Sequence, residues 1–152
     1  MSTLTEAITY YFNPTAEELQ VLQAQFKPMQ LAKGDFYLQA GQYGPKLGFI
    51  RDGYLRIYQY YEGEEVTQWV SGPGQFITEV QSLLFEKPCR WYIEAITDCT
   101  IDNLAGDAYR AMPGLLPNWS LIEKLFMAKC FAVMEDRIFT FLSLTAEERY
   151  QV

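Results

Sequence analysis

The sequence predicts a mainly β domain, a sandwich or barrel, flanked by helices of which the last is long. Three observations predict it. Gly34, Gly41, Gly44, Gly48, Gly53, Gly63, Gly72 and Gly74 punctuate short runs of strand-favouring residues. A capped helical pattern stands before those runs, and a continuous apolar helical pattern stands after them. Regularly spaced short strands closed by glycine turns build two-layer or barrel β folds. At 152 residues the chain has the length of one domain, able to bury about 68–70% of its unfolded surface.

The first helix is expected over 15–27. Thr15-Ala-Glu-Glu18 has the form of a capping box, in which hydroxyl and carboxylate satisfy each other's free amides. Leu19, Leu22 and Phe26 follow at helical spacing, and Pro28 ends the element. The β-region is expected over about 31–106. Its runs are FYLQ (36–39), LGFI (47–50), YLRIYQYY (54–61), EVTQWV (65–70), WYIEAI (91–96) and CTIDNL (99–104). Leu55 and Ile57 alternate with Arg56 and Tyr58, the period of a half-buried strand. Glu62-Gly63 between two runs predicts a hairpin turn. Tyr58, Tyr60, Tyr61 and Trp69 either pack across strands or line an aromatic pocket.

Pro113 and Pro117 mark the entry to a helix expected over about 118–142. Leu121, Leu125, Ala128, Ala132, Phe139 and Leu142 form one apolar stripe; Met127, Phe131, Met134, Ile138 and Phe141 form a second. Ile122, Phe126, Cys130 and Val133 form a third. A helix apolar nearly all round must be covered on more than one side. At about 1.5 Å per residue it is roughly 37 Å long, more than a small β-domain can wrap. A homodimer through the first stripe is therefore expected. Residues 1–144 would make this one domain. Thr145-Ala-Glu-Glu148 repeats the capping-box form, and only Arg149 to Val152 follow. Residues 145–152 are expected to begin an element whose remainder lies beyond Val152.

Composition removes several function classes. There is no histidine, hence no imidazole-ligated metal, no histidine-bound haem and no His-dependent nucleophile triad. An enzyme, including one of cupin type, is not expected. Cys89, Cys99 and Cys130 are too far apart for a zinc or iron–sulfur motif and read as reduced, packed thiols. The N-terminus lacks a signal-peptide pattern, and no apolar run reaches the ~18 residues of a membrane span. A soluble cytoplasmic domain is expected. The net charge of −7, with scattered basic residues, argues against direct nucleic-acid binding.

The most informative stretch is Gly74-Gln-Phe-Ile-Thr-Glu79, followed by Arg90 and by Ile93-Glu-Ala95. With Lys33-Gly34 and Gly41, Phe49-Ile50-x-x-Gly53-x-Leu55-x-Ile57, Pro73-Gly74-x-Phe76 and Ala95-x-Thr97-Asp98-Cys99-x-Ile101, the chain resembles the cyclic-nucleotide-binding domains of Crp-Fnr transcription regulators. The resemblance runs from about Leu19 to Tyr150. It implies a double-stranded β-helix, or jelly roll, holding a small anionic ligand, and a long helix that forms a parallel dimer seam. It also implies a helix-turn-helix beyond Val152, through which alone the protein would touch DNA.

The resemblance implies site residues too. In the family a Phe-Gly-Glu cassette offers helix-N-terminal amides to the cyclic phosphate, its glutamate takes the ribose hydroxyl, and an arginine pairs with the phosphate. The candidates here are Phe76, Ile77, Thr78, Glu79, Cys89, Arg90 and Trp91. Three departures stand out. Thr78 replaces the glycine; the arginine position falls on Cys89, with Arg90 one residue late; and Trp91 fills the next small position. A one-residue shift turns a side chain to the other face unless a loop absorbs it. The purine-contacting positions fall on Ala132 and Val133. A degenerate cassette is expected that does not bind cyclic AMP in the usual way, leaving a cyclic nucleotide or another small anion as ligand. The alternative is a stand-alone module that dimerises and binds a protein partner.

Overall fold

Two threonines start the first two helices. Thr3 Oγ1 accepts from the Glu6 amide at 3.2 Å and opens α1 (Leu4–Phe12). Thr15 opens α2 (Ala16–Gln25), where its hydroxyl accepts from the Glu18 amide and Glu18 Oε1 accepts from the Thr15 amide at 2.8 Å. The computed structural model describes residues 3–143. The expected element at 145–152 lies outside them.

The strands follow in order: β1 (Lys27–Leu31), β2 (Phe36–Leu38), β3 (Lys46–Asp52), β4 (Leu55–Tyr61), β5 (Glu64–Ser71), β6 (Phe76–Thr78), β7 (Tyr92–Ala95) and β8 (Cys99–Ala105). A short helix, α3 (Val80–Phe85), stands between β6 and β7. After β8 come α4 (Gly106–Arg110), α5 (Met112–Leu115) and the long α6 (Trp119–Ser143). The strands form two four-stranded sheets, β1-β8-β3-β6 and β2-β7-β4-β5, with antiparallel neighbours throughout. This is the jelly roll with flanking helices.

Each sheet sends one face inward. Leu38, Ile50, Leu55, Ile77, Ile93 and Ile101, drawn from both sheets, form one buried core. A second core lies where β3 and β8 meet the helices, with Ile8, Phe12, Leu22, Leu47, Trp119 and Phe126 buried together. Burying side chains of this size contributes about 1.5–3 kcal/mol each. Two turns depend on left-handed backbone. Glu62 and Gly63 both take positive φ, 51° and 82°, as the tightest hairpin turn requires. Gly53 (φ 94°) lets the β3–β4 turn pass against Cys99.

Three expectations need correction. α1 was not anticipated, yet its Ile8 and Phe12 are fully buried. The helix expected over 15–27 ends at Gln25, and the β-region begins at Lys27 rather than 31. Pro28 is part of β1, which tolerates it as an edge strand with one unpaired side. Tyr58 keeps to the outer face with Arg56, as alternation predicts, yet it is buried. Its ring stacks on Tyr92 with centroids 5.2 Å apart, and the Arg56 guanidinium covers it at 3.9 Å. Arg56 is itself held by Glu65 and Glu94, each at 3.0 Å. The outer face of this sheet is thus roofed by its own aromatic rings.

Candidate functional site

Glu79 follows β6 directly and caps α3. Its Oε2 accepts from the Ser82 amide at 2.9 Å, while Arg90 Nε approaches Oε1 at 3.5 Å. The glutamate side chain is 3% exposed and the arginine side chain 60%. Arg90 arrives there because the shift in spacing is absorbed by a loop. Glu86 ends α3 in the left-handed conformation, and β7 starts only at Tyr92. Between them Cys89 is pinned by backbone bonds to Gln42 and Gly41. Its side chain enters the inter-sheet core, and burial raises its thiol pKa.

The remaining cassette residues divide between wall and core. Thr78 donates its hydroxyl to the Lys46 carbonyl at 2.7 Å, which ties β6 to β3. Ile77 is buried in the inter-sheet core. Phe76 meets Tyr11, Phe49 and Phe126 edge to face, with centroids 5.2–5.9 Å apart. Thr78, Glu79, Arg90 and Trp91 share a recess of about 120 Å³ with Ile57 and Met134. Cys89 is not among its walls.

Two further recesses adjoin along α6. One of about 140 Å³ is walled by Thr78, Val80, Phe126, Cys130, Val133 and Arg137, among others. The other, about 260 Å³, lies between β5 and α6 and is lined by Gln68, Trp69, Met134, Arg137, Ile138 and Phe141. A β-bulge shapes it: Ile57 pairs with Trp69 and Tyr58 with Thr67, so Gln68 is the extra residue. The bulge lets consecutive side chains, Gln68 and Trp69, line the same space. Burial pushes the Cys130 thiol up to about 11 and lowers the pKa of Arg137.

The stripes of α6 separate cleanly. Ile122 and Phe126 are buried on the domain, and Cys130 and Val133 continue that face half-buried. Of the stripe expected to dimerise, Leu125 is half-buried; Leu121, Ala128, Ala132, Phe139 and Leu142 are exposed. Val133 reaches a recess beside β6, whereas Ala132 borders a separate groove against Tyr10 of α1. Sequence reasoning missed Gln68, Val80, Met134 and Arg137 as walls. The signal for Arg137 was a cation set between apolar stripes. Among the described residues no cluster of metal-ligating side chains occurs, and no helix is long and apolar enough to cross a membrane.

Comparisons with known proteins agree with this geometry. A family model described as the cyclic nucleotide-binding domain matches residues 28–112, more than half of the chain. Among solved structures, the catabolite activator protein of Thermus thermophilus superposes with a TM-score of 0.70 at 21% identity, over 89% of this chain and 61% of that one. The sensor domain of the transcriptional regulator DNR from Pseudomonas aeruginosa gives 0.66 at 21% identity, covering 93% and 95%. The N-terminal domain of a transcriptional regulator from Streptomyces coelicolor gives 0.65 at 19%, covering 88% and 91%. The chain thus spans less than two thirds of the Thermus protein but nearly all of the two isolated domains. No curated protein matches it in sequence.

Proposed function

The chain belongs to the cyclic nucleotide-binding domain family, and we propose that it is the ligand-sensing, dimerising regulatory part of a Crp-Fnr-like DNA-binding transcription regulator. Its cassette is degenerate and does not take cyclic AMP in the usual manner. The state of Glu79 carries this reading. Both of its oxygens are engaged within the chain, one by the Ser82 amide and one by Arg90. A ribose hydroxyl would compete with Arg90 for the carboxylate, and a phosphate would compete with Glu79 for the arginine.

Signalling then runs through α6. A ligand seated between the roll and the helix shifts the balance between helix arrangements by no more than its difference in affinity for them. Exposed Phe131, Phe139 and Leu142 support a helix seam between two copies. DNA contact falls to a segment beyond Val152, consistent with a charge of −7. The same exposed face also favours a second reading, a stand-alone module that dimerises and binds a protein.

Thermal melts against cyclic and linear nucleotides test the proposal. A ligand at about a hundred times its dissociation constant adds roughly 2.7 kcal/mol, or about 5–10 °C here. Cyclic AMP is expected to leave the midpoint flat. A rise of that size, abolished in Arg90→Gln, would overturn the degenerate-cassette reading.

A further inference from the structure

The recess between β5 and α6 is lined by two residues, Trp69 and Arg137, whose side-chain donors make no hydrogen bond among the described residues. The Arg137 guanidinium lies over the Trp69 ring, 4.1 Å from its centroid. Among the described residues it forms no ion pair. Trp69 Nε1 is buried and makes no hydrogen bond. An indole N–H can only donate, as can a guanidinium, so neither can satisfy the other. The stack nevertheless keeps them as neighbours. Around them stand Met134, Ile138 and Phe141, with Phe141 meeting the Trp69 ring edge to face at 6.1 Å.

We propose that this recess binds a small aromatic carboxylate, its oxygens taken by the Arg137 guanidinium and the Trp69 N–H and its ring lying among Met134, Ile138 and Phe141. The charge count selects a monoanion. A guanidinium with no carboxylate partner among the described residues balances one negative charge, whereas Arg90 already faces Glu79. The apolar walls select a flat hydrophobic body, and the space of about 260 Å³ suits one or two fused rings. A planar guanidinium also matches the carboxylate fork. The site uses none of the cassette residues, so it stands or falls independently of the function proposed above.

Calorimetry on the full chain with 1-naphthoate tests it, with 1-naphthalenemethanol as the uncharged counterpart. Naphthoate is expected to bind once per chain, and the alcohol about tenfold more weakly or worse. Arg137→Gln and Trp69→Phe should each weaken naphthoate by about tenfold or more with the melting midpoint preserved, whereas Arg90→Gln should not. Arg137→Lys should restore part of the affinity. No binding at millimolar naphthoate, equal binding of the alcohol, or full affinity in Arg137→Gln would each overturn the assignment. So would a change of sedimentation mass in Arg137→Gln without an effect on naphthoate, which would give the recess to a second copy of the chain. Cyclic AMP in the same series separates the two proposals: binding lost in Arg90→Gln but kept in Arg137→Gln would overturn the cassette reading alone.

Discussion

Phe12 of α1 lies flat on Phe126 of α6, with ring centroids 4.4 Å apart and planes 11° from parallel. Trp119 stacks on the same phenyl ring at 6.2 Å. The N-terminal helix is thereby built into the base of the long one. Phe12→Ala should cost about 3–5 kcal/mol, the usual loss for a fully buried aromatic side chain. Tyr10→Ala, on the exposed side of the same helix, should cost no more than about 1 kcal/mol, the worth of its exposed contact with Lys129. Urea unfolding of both variants checks this. A loss below about 1 kcal/mol for Phe12→Ala would make α1 a detachable segment.

The cap and the ion pair at Glu79 should separate energetically. Glu79→Ala removes the acceptor for the Ser82 amide and should cost about 0.5–2 kcal/mol. Arg90→Ala should cost no more than about 1 kcal/mol, since the arginine side chain is 60% exposed and its attraction is screened by water. Chemical denaturation in low and high salt is the measurement. A larger loss for Arg90→Ala would mean that the carboxylate depends on its cation.

Two glycines with similar backbone angles should respond differently to alanine. At Gly53 (φ 94°) a Cβ would run into the Asp98 carbonyl oxygen and come within 2.6 Å of Cys99 Sγ and 2.8 Å of Cys99 Cα. At Gly63 (φ 82°) a Cβ would meet nothing within 4 Å. Gly63→Ala should therefore cost only the left-handed penalty of about 1–2 kcal/mol, and Gly53→Ala clearly more. Equal midpoint shifts in thermal melts would contradict the packing at the β3–β4 turn.

Alkaline pH should destabilise the fold in two overlapping windows. Burial holds Cys130 at about 11 against an ordinary 9.0, and Tyr58 at about 12 against 10.0. In each window the folded chain keeps a proton that the unfolded chain releases, so stability falls as pH rises. The Cys130 contribution is fully present below pH 9 and lost through about 11; that of Tyr58 is present below 10 and lost through about 12. Denaturation midpoints across pH 8–12 should fall less steeply in Cys130→Ala over the lower window, and in Tyr58→Phe over the upper. Unchanged slopes in both variants would count against the burial of these groups.

The apolar end of α6 predicts association. Phe139 is 70% exposed and Leu142 81%. Phe139→Glu should shift the sedimentation mass from two chains to one while leaving the melting of the β-roll nearly unchanged. A wild-type chain that sediments as a monomer at high micromolar concentration would remove the helix seam.

The sequence announced elements through local devices and missed those that depend on distant partners. The Thr15 capping box, the Glu62-Gly63 turn and the long apolar helix were legible because each is written within a few neighbouring residues. Helix α1 was not, despite its Thr3 cap, since Ile8, Tyr10, Tyr11 and Phe12 favour strands as readily as helices, and the Phe76, Phe126 and Trp119 rings that hold its aromatic side lie far along the chain. Strand β1 was hidden by Pro28, whose fitness there depends on β1 being at an edge. Alternation put Tyr58 on the outer face but did not show its burial, because the Tyr92 ring that covers it comes from another strand. At the candidate site, counting residues could not show which of Cys89 and Arg90 faces the recess. That choice belongs to the loop after Glu86 and to the backbone bonds of Cys89 with Gln42 and Gly41.

The edge contact between Phe76 and Phe126, 5.9 Å between centroids, makes α6 a lever with its fulcrum near one end. Phe76 shares its strand with Thr78, at the wall of the recesses. Ser143 lies seventeen positions beyond Phe126, an arm of about 25 Å at about 1.5 Å per residue. A tilt of about 5° at the aromatic pivot would carry the helix tip through about 2 Å. Such a tilt would also have to break the hold of Arg137 and Phe141 on Trp69, so a rearrangement in β6 reaches the far end of the arm only when β5 lets go of it.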